Sequence, residues 1–301
     1  MLQVISELQA AGVNDIKREE PMAPHTYWKI GGPADVFVVP QTKQQLLETI
    51  RIVREHNLPW FVLGKGSNLL VTDKGIRGVV IKLGEALNYA RFEDNLIYAG
   101  AAFSLIKLSV MAGRQGLAGL EFAGGIPGSI GGAVYMNAGA HGSEMSRILK
   151  QAEVLFDNGE LVTMQKEEFQ YAYRTSILHT KRGIVTEAVL ELQAGDRAEL
   201  ATTQAAHKER RLRTQPLQLA VAGSVFRNPE NRFAAKLIEE AGLKGMRVGG
   251  AEISTLHANF IVNTGQATAE DVLTLIEKIK AIVGEKYKVE LVPEVMVVGE
   301  R

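Results

Sequence analysis

The chain has 301 residues, 46% hydrophobic and 23% charged, with 34 basic and 34 acidic side chains and no cysteine. This is the mix of a soluble globular protein with ample apolar material for its core, and the length of two or three domains. The balanced charge argues against a general nucleic-acid or acidic-membrane binder, and the missing cysteines exclude disulfides, zinc–thiolate sites, iron–sulfur clusters and a cysteine nucleophile. The opening Met1–Ala11 contains Glu7 and no long apolar core, so it does not read as a signal peptide. No stretch approaches the roughly 18 apolar residues of a membrane span. A cytoplasmic protein is expected, with no membrane partner, no nucleic-acid partner and no metal site.

In chain order, Met1–Gly12 reads as a short amphipathic helix and Asp35–Val39 as a strand ended by Pro40. Thr42 and Gln45 fit a capping box at the head of a helix running to His56, with Leu46, Leu47, Ile50 and Val53 at helical spacing. Pro59–Leu63 is a second strand, followed at once by Gly64-Lys65-Gly66-Ser67-Asn68. Val79–Leu83 and Asn95–Ala101 are further strands, and Ser104–Gln115 is helical. Ala152–Phe156 and Leu161–Met164 flank Asp157-Asn158-Gly159-Glu160 as a hairpin. Ile184–Leu192 is a strand and Asp196–Arg213 a polar helix connecting two domains. Beyond it come a helix over Phe233–Ala241 stopped by Gly242, a strand over Asn259–Asn263, and a helix over Thr268–Val283. Paired short strands are expected around Pro293. The class is α+β, with boundaries near residues 65 and 200.

Between Gly119 and Gly142, eight of 24 positions are glycine, where the average over the chain is between two and three. Gly124-Gly125, Pro127-Gly128-Ser129 and Gly131-Gly132 suggest runs of bare backbone amides that form an anion-binding concavity. A helical turn over Ile130–Tyr135 would add its dipole. The natural guest is a pyrophosphate. The Gly64–Asn68 loop follows a strand and is a second cradle. It lacks the GK[ST] ending of a nucleoside-triphosphatase loop, and there is no G-x-G-x-x-G opening a helix. Two cradles point to a large dinucleotide or to two phosphorylated ligands.

Six ordered stretches carry a more specific signal: HTYWKIGGPAD (25–35), VLGKGSNLLV (62–71), GLEFAGGIPGSIGGAVYMNAGA (119–140), YAYRTS (171–176), AGSVFRNP (222–229) with LIEEAGLKG (237–245), and HANFIVN (257–263) with LVPEV (291–295). With them the chain resembles the UDP-N-acetylenolpyruvoylglucosamine reductases (UDP-N-acetylmuramate dehydrogenases), flavoenzymes of peptidoglycan synthesis. The 49 residues between Arg174 and Ser224 match the shorter of the family's two branches, which lacks a substrate-capping tyrosine loop. The resemblance implies a two-subdomain FAD-binding fold of the vanillyl-alcohol-oxidase/p-cresol methylhydroxylase type plus a C-terminal α+β substrate domain. The implied limits are 1–65 and 66–198 for the FAD subdomains, with 292–301 returning to the first, and 199–301 for the substrate domain. It also implies non-covalent FAD, NADPH as co-substrate, a UDP-sugar substrate, and a monomer or weak homo-oligomer.

The implied reaction reduces UDP-N-acetylglucosamine enolpyruvate to UDP-N-acetylmuramate, with hydride passing from NADPH through FAD to the enolpyruvyl methylene. In the resemblance Ser224 is the proton donor, Arg174 binds the carboxylate and stabilises the enolate, and Glu294 assists protonation. Glu294 also stands between Pro293 and Val295 in an apolar stretch, where an unpaired carboxylate is expensive. FAD contacts are expected from Gly64, Lys65, Gly66, Ser67, Asn68, Gly124, Gly125, Pro127, Gly128, Ser129, Gly131, Gly132, Asn137 and Ala138. Substrate contacts are expected from Asn228, His257 and Arg213, the last chosen from Lys208-Glu209-Arg210-Arg211-Leu212-Arg213 as a cation for the phosphates. Two departures from the family stand out. Ala220 and Val221 replace a proline and a small polar residue ahead of Ala222-Gly223-Ser224, leaving the turn at Ser224 less rigid, and Lys65 either touches a phosphate or faces solvent. The alternatives are another FAD oxidase of this fold and a nucleotide-binding module without catalysis.

Overall fold

The computed structural model describes residues 1–301. Seven α-helices punctuate the chain: α1 (Leu2–Ala10), α2 (Lys43–Glu55), α3 (Leu105–Gln115), α4 (Ile130–Met136), α5 (Arg197–Thr214), α6 (Ala234–Glu240) and α7 (Ala269–Tyr287). Thr42 caps α2 by accepting from the Gln45 N–H, as its sequence promised. The reciprocal half of the expected box is absent, because Gln45 Oε1 accepts from Gln41 N–H instead. Thr268 and Asp271 form a complete capping box at the head of α7. That helix runs to Tyr287, a turn past its expected end.

By compactness the chain divides into two discontinuous units: Met1–Arg18, Val36–Lys65 and Gly78–Arg210 form one, and Glu19–Asp35, Gly66–Arg77 and Arg211–Arg301 the other. A linear reading with breaks near 65 and 200 misses this interleaving. The reason lies in strands far apart in sequence. A four-stranded sheet has the order Ile16–Pro21, Pro33–Val38, Ile76–Lys82, Trp60–Leu63. Three of its strands cross from one unit's segments into the other's.

In the first unit, Trp60–Leu63 pairs parallel with Ile76–Lys82, and the apolar face of α2 joins Val36, Val38, Val79 and Ile81 in one core. A second, antiparallel five-stranded sheet has the order Leu161–Gln165, Leu149–Phe156, Gly183–Glu191, Leu96–Gly100, Ala90–Glu93. The expected hairpin is its first pair. Leu105 and Leu108 of α3 and Ile130 and Val134 of α4 are buried with Ile97, Ala99, Ala188 and Leu190 of this sheet. Burying a side chain of this size stabilises by about 1.5–3 kcal/mol, so this cluster dominates the stability of the layer that carries the glycine tract.

In the second unit, Val272, Leu275, Ile276 and Ile279 of α7 share a core with Trp28, Leu70, Phe226 and Ile261. Arg247–Val248, Ala251–Ile253 and Ile261–Asn263 form a three-stranded antiparallel sheet. The expected strand pair around Pro293 does not form. Phe226 bridges Pro293, and Met296–Val298 pairs parallel with Leu69–Val71. The proline has no N–H to donate to a ladder, so the segment makes a single bridge and passes on to another partner.

Candidate functional site

The two glycine stretches converge on one side chain. Gly64 is exposed, and a Cβ built on it would lie 2.8 Å from Ser129 Oγ. A Cβ on Gly132 would lie 3.4 Å from the same oxygen. Ser129 is itself buried and caps α4, its hydroxyl accepting from Gly132 N–H at 3.3 Å. The backbone from Gly124 to Gly128 runs half-buried just ahead of it. A side chain at residue 64 would therefore clash with Ser129, so bare backbone at Gly64 lets the two stretches pack against each other.

Part of the sequence expectation is corrected here. Gly131 and Gly132 do not offer free amides. Ile130 N–H donates to Phe103 O (3.0 Å), Gly131 N–H to Ala101 O (2.9 Å) and Gly132 N–H to Ser129 Oγ. The carbonyls at the end of the Leu96–Gly100 strand need donors, and the first turn of α4 supplies them. The α4 dipole is thus not presented to an anion. Gly131 is bare for packing, since a Cβ there would come within 3.0 Å of Ala101 Cβ. Asn137 is completely buried, at φ +45°, with Nδ2 donating to Glu144 Oε1 (2.9 Å) and Ala172 O (3.1 Å) and Oδ1 accepting from Ser146 N–H (2.9 Å). Its side chain organises the tract from behind. Ala138 does so through its backbone, donating to Ala133 O and accepting from Met145.

Asn137 also ties the tract to the loop that carries Arg174. Three further contacts fasten that loop: Tyr171 Oη donates to Val134 O (3.1 Å), Ser176 Oγ to Tyr135 O (2.7 Å), and Arg174 Nη2 to Gly139 O (2.5 Å). Ala172 and Thr175 exchange backbone hydrogen bonds, so Tyr173-Arg174 is a two-residue turn. Arg174 holds φ at +56°, a conformation that costs a non-glycine residue about 1–2 kcal/mol. Strain of this kind concentrates where a side chain must be aimed. The guanidinium lies 4.8 Å over the Tyr173 ring. Arg174 therefore stands at the end of the glycine tract, in the same unit.

Ser224 and Glu294 are brought together in the other unit. Glu294 N–H donates to Val225 O at 2.7 Å and Arg227 N–H to Val292 O at 2.9 Å, so the segments run side by side. Gly223 holds φ at +75°, turning the chain into Ser224. Asn68, expected at the cofactor, donates through Nδ2 to Glu294 O (3.1 Å) and accepts from Met296 N–H (3.0 Å). The Gly64–Asn68 loop crosses the division: Gly64 and Lys65, both exposed, belong to the first unit, while Gly66 and half-buried Ser67 belong with Asn68.

The expected substrate contacts differ in setting. Asn228 Oδ1 accepts from Ala234 N–H at 3.1 Å, at the start of α6. His257 packs edge-on against Phe260, and its Nδ1 accepts from Asn259 N–H (3.3 Å). Burial holds its pKa below the usual histidine value. The imidazole is then neutral at pH 7, with its proton on Nε2. Arg213 is exposed, whereas Arg211 is half-buried, donates from Nε to Gln215 Oε1 (2.9 Å), and has its pKa lowered by burial. The sequence reading missed Arg211, because a helix polar all round hides which cation faces inward.

Two successive parts of the chain match known domain families. Residues 215–298 match the model of the UDP-N-acetylenolpyruvoylglucosamine reductase C-terminal domain, and residues 34–165 that of an FAD binding domain. The chain is 52% identical over 302 residues to the UDP-N-acetylenolpyruvoylglucosamine reductase of Anoxybacillus flavithermus, and 49% over 301 residues to that of Halalkalibacterium halodurans. Both alignments cover all of both chains. The crystal structure of the Thermus caldophilus reductase superposes with a TM-score of 0.81 at 38% identity, over 94% of this chain and 98% of that one. A berberine bridge enzyme variant shares the fold at 15% identity and a TM-score of 0.51, over 74% of this chain and 51% of its own. The fold is the flavin-binding architecture with the C-terminal domain that the resemblance implied. With both domain models in order and half of all residues shared with full-length members, the chain belongs to the UDP-N-acetylenolpyruvoylglucosamine reductase family.

Proposed function

We propose that this chain reduces UDP-N-acetylglucosamine enolpyruvate to UDP-N-acetylmuramate with electrons from NADPH, using non-covalent FAD, in peptidoglycan precursor synthesis. The observation that carries the residue assignment is the hydrogen bond from Glu294 N–H to Val225 O, which sets a hydroxyl and a carboxylate on adjoining segments. FAD, when bound, supplies a two-electron carrier between NADPH and the enolpyruvyl group. It would be held by Gly64, Lys65, Gly66 and Ser67 and by Gly124, Gly125, Pro127, Gly128 and Ser129. Gly131, Gly132, Asn137, Ala138 and Asn68 support that surface from beneath. In this reading residues 1–65 and 66–198 serve the cofactor, with 292–301 returning to the first of these, and 199–301 serves the sugar nucleotide.

The net reaction adds hydride to the terminal methylene and a proton to the carbon beside the carboxylate. Arg174 binds the carboxylate and stabilises negative charge there as it develops; a guanidinium is always charged and its planar fork fits a carboxylate. Ser224 delivers the proton from Oγ, and Glu294 assists. A serine is a weak acid in water, but serves in a dry site against a strongly basic carbon. Neutral His257 donates from Nε2 to the substrate, Asn228 contributes its amide, and Arg213 meets the phosphates, with Arg211 the better-desolvated cation beside it. NADPH and the UDP-sugar are the small-molecule partners, and the protein acts as a monomer or weak homo-oligomer. No helix is long and apolar enough to cross a membrane.

The test is an absorption spectrum of the purified protein under anaerobic conditions. Flavin bands that bleach with NADPH and return with UDP-N-acetylglucosamine enolpyruvate support both half-reactions. A protein that bleaches but is not reoxidised by that substrate would refute the assigned reaction while keeping the cofactor.

A further inference from the structure

Ser224 sits in a segment without the proline that would stiffen it, yet the backbone around it is held on every side. Asn259 is buried, and its side chain takes both polar groups of one peptide position: Oδ1 accepts from Phe226 N–H at 2.9 Å, and Nδ2 donates to Phe226 O at 2.8 Å. Its own carbonyl accepts from Val225 N–H at 2.9 Å. On the far side Val225 O accepts from Glu294 N–H. Upstream, Ala220 O accepts from Asn263 N–H at 3.0 Å. The segment from 220 to 226 is thus pinned at both ends by residues 259–263, with Ser224 the last residue before the clamp.

We propose that Asn259 is a positioning residue for Ser224, an amide clamp on the backbone just beyond it. This rests on the reading of Ser224 as the proton donor. Phe226 has no sheet partner beyond its single bridge to Pro293. Asn259 therefore stands in for a strand on the other edge, and does so with a donor and an acceptor in one plane. A carboxylate in its place keeps the acceptor for Phe226 N–H but faces Phe226 O with a second acceptor. The clamp then opens on one side, and Val225 and the hydroxyl ahead of it swing. Because Val225 O also receives Glu294 N–H, the same movement changes the spacing between the hydroxyl and the carboxylate.

The experiment measures both half-reactions by stopped flow in the full-length, FAD-loaded protein, for wild type, Asn259→Asp, Ser224→Ala and the double variant. Misplacing a reacting group by about 1 Å costs on the order of 100-fold. Asn259→Asp should therefore slow flavin reoxidation at saturating enolpyruvyl substrate by roughly 10–100-fold. Flavin reduction by NADPH and the substrate Kd should stay within about twofold of wild type. The double variant should be no slower than Ser224→Ala, since a residue acting through the serine has nothing to position once the hydroxyl is gone. Multiplied effects in the double variant, or an equal fall in both half-reactions, would overturn the proposal. Normal reoxidation in Asn259→Asp beside slow reoxidation in Ser224→Ala would overturn it alone, whereas fast reoxidation in Ser224→Ala would overturn the proton-donor reading beneath it. If Asn259→Asp fails to load flavin, Asn259→Ser is read in the same way. Failure of both variants to load flavin assigns Asn259 to folding and rejects the positioning role.

Discussion

Gly223→Ala isolates a conformational effect from a steric one. A Cβ built on Gly223 meets no atom within 4 Å, so the substitution creates no clash. The backbone, however, sits at φ +75°. An L-residue there loses about 1–2 kcal/mol to the contact of its Cβ with the carbonyl oxygen. Alanine also narrows the unfolded ensemble, which returns about 0.4–1 kcal/mol. At the middle of both ranges the net is a destabilisation of about 0.8 kcal/mol, read as a lower urea midpoint at unchanged m-value. Asparagine tolerates the left-handed region, so Gly223→Asn should recover most of the loss. If the alanine chain instead relaxes φ to a negative value, Ser224 is carried with it. The kinetic signature is then slow flavin reoxidation by the enolpyruvyl substrate with normal reduction by NADPH. An alanine variant with unchanged midpoint and unchanged reoxidation would refute the reasoning, as would an asparagine variant no better than alanine.

At the other glycine stretch, Gly64→Val should displace Ser129 and fill the space above it, so the purified protein should carry little flavin and regain little on dialysis against FAD; full flavin content would show that the ligand does not lie there. Asn137→Ala removes three hydrogen bonds, leaves Ser146 N–H without a partner, and leaves Ala172 O with Thr175 N–H as its donor. A loss of about 2–4 kcal/mol in denaturant unfolding is expected, and a loss under 1 kcal/mol would mean that water replaces the amide. The pH dependence follows from His257, whose folded pKa is lowered by burial. The unfolded chain, with histidine near about 6.5, therefore binds the proton first on acidification. Stability present above that pH is lost as pH falls through and below it, and His257→Gln should flatten the change between pH 7.5 and 5.5 in urea midpoints. An equally steep wild-type and variant profile would assign the dependence elsewhere.

Periodicity and capping chemistry were enough to read most helices, because both act within a few residues. α2 with its Thr42 cap, α3 behind Ser104 and α7 behind Thr268 needed only neighbouring side chains. The glycine excess marked a place where backbone is laid bare, and six ordered motifs carried the family. What local reading could not see was partnership at long range. Whether Gly131 N–H is free depends on Ala101, thirty positions upstream. Asn137 looks like one more polar residue in a ligand loop until Ala172 and Ser146 are found against it.

By itself the sequence determined the class of elements, the family and the identity of the groups able to do chemistry, since these depend on residue type and near neighbours. Only the tertiary structure decided which of those groups are spent on holding other segments in place. It placed Asn68 against Glu294 O and Asn259 against the Phe226 peptide, and showed Arg211 rather than Arg213 to be the desolvated cation. The physical reason is that a polar group inside a protein must find a partner, and which partner it finds is settled by packing between segments tens to hundreds of residues apart.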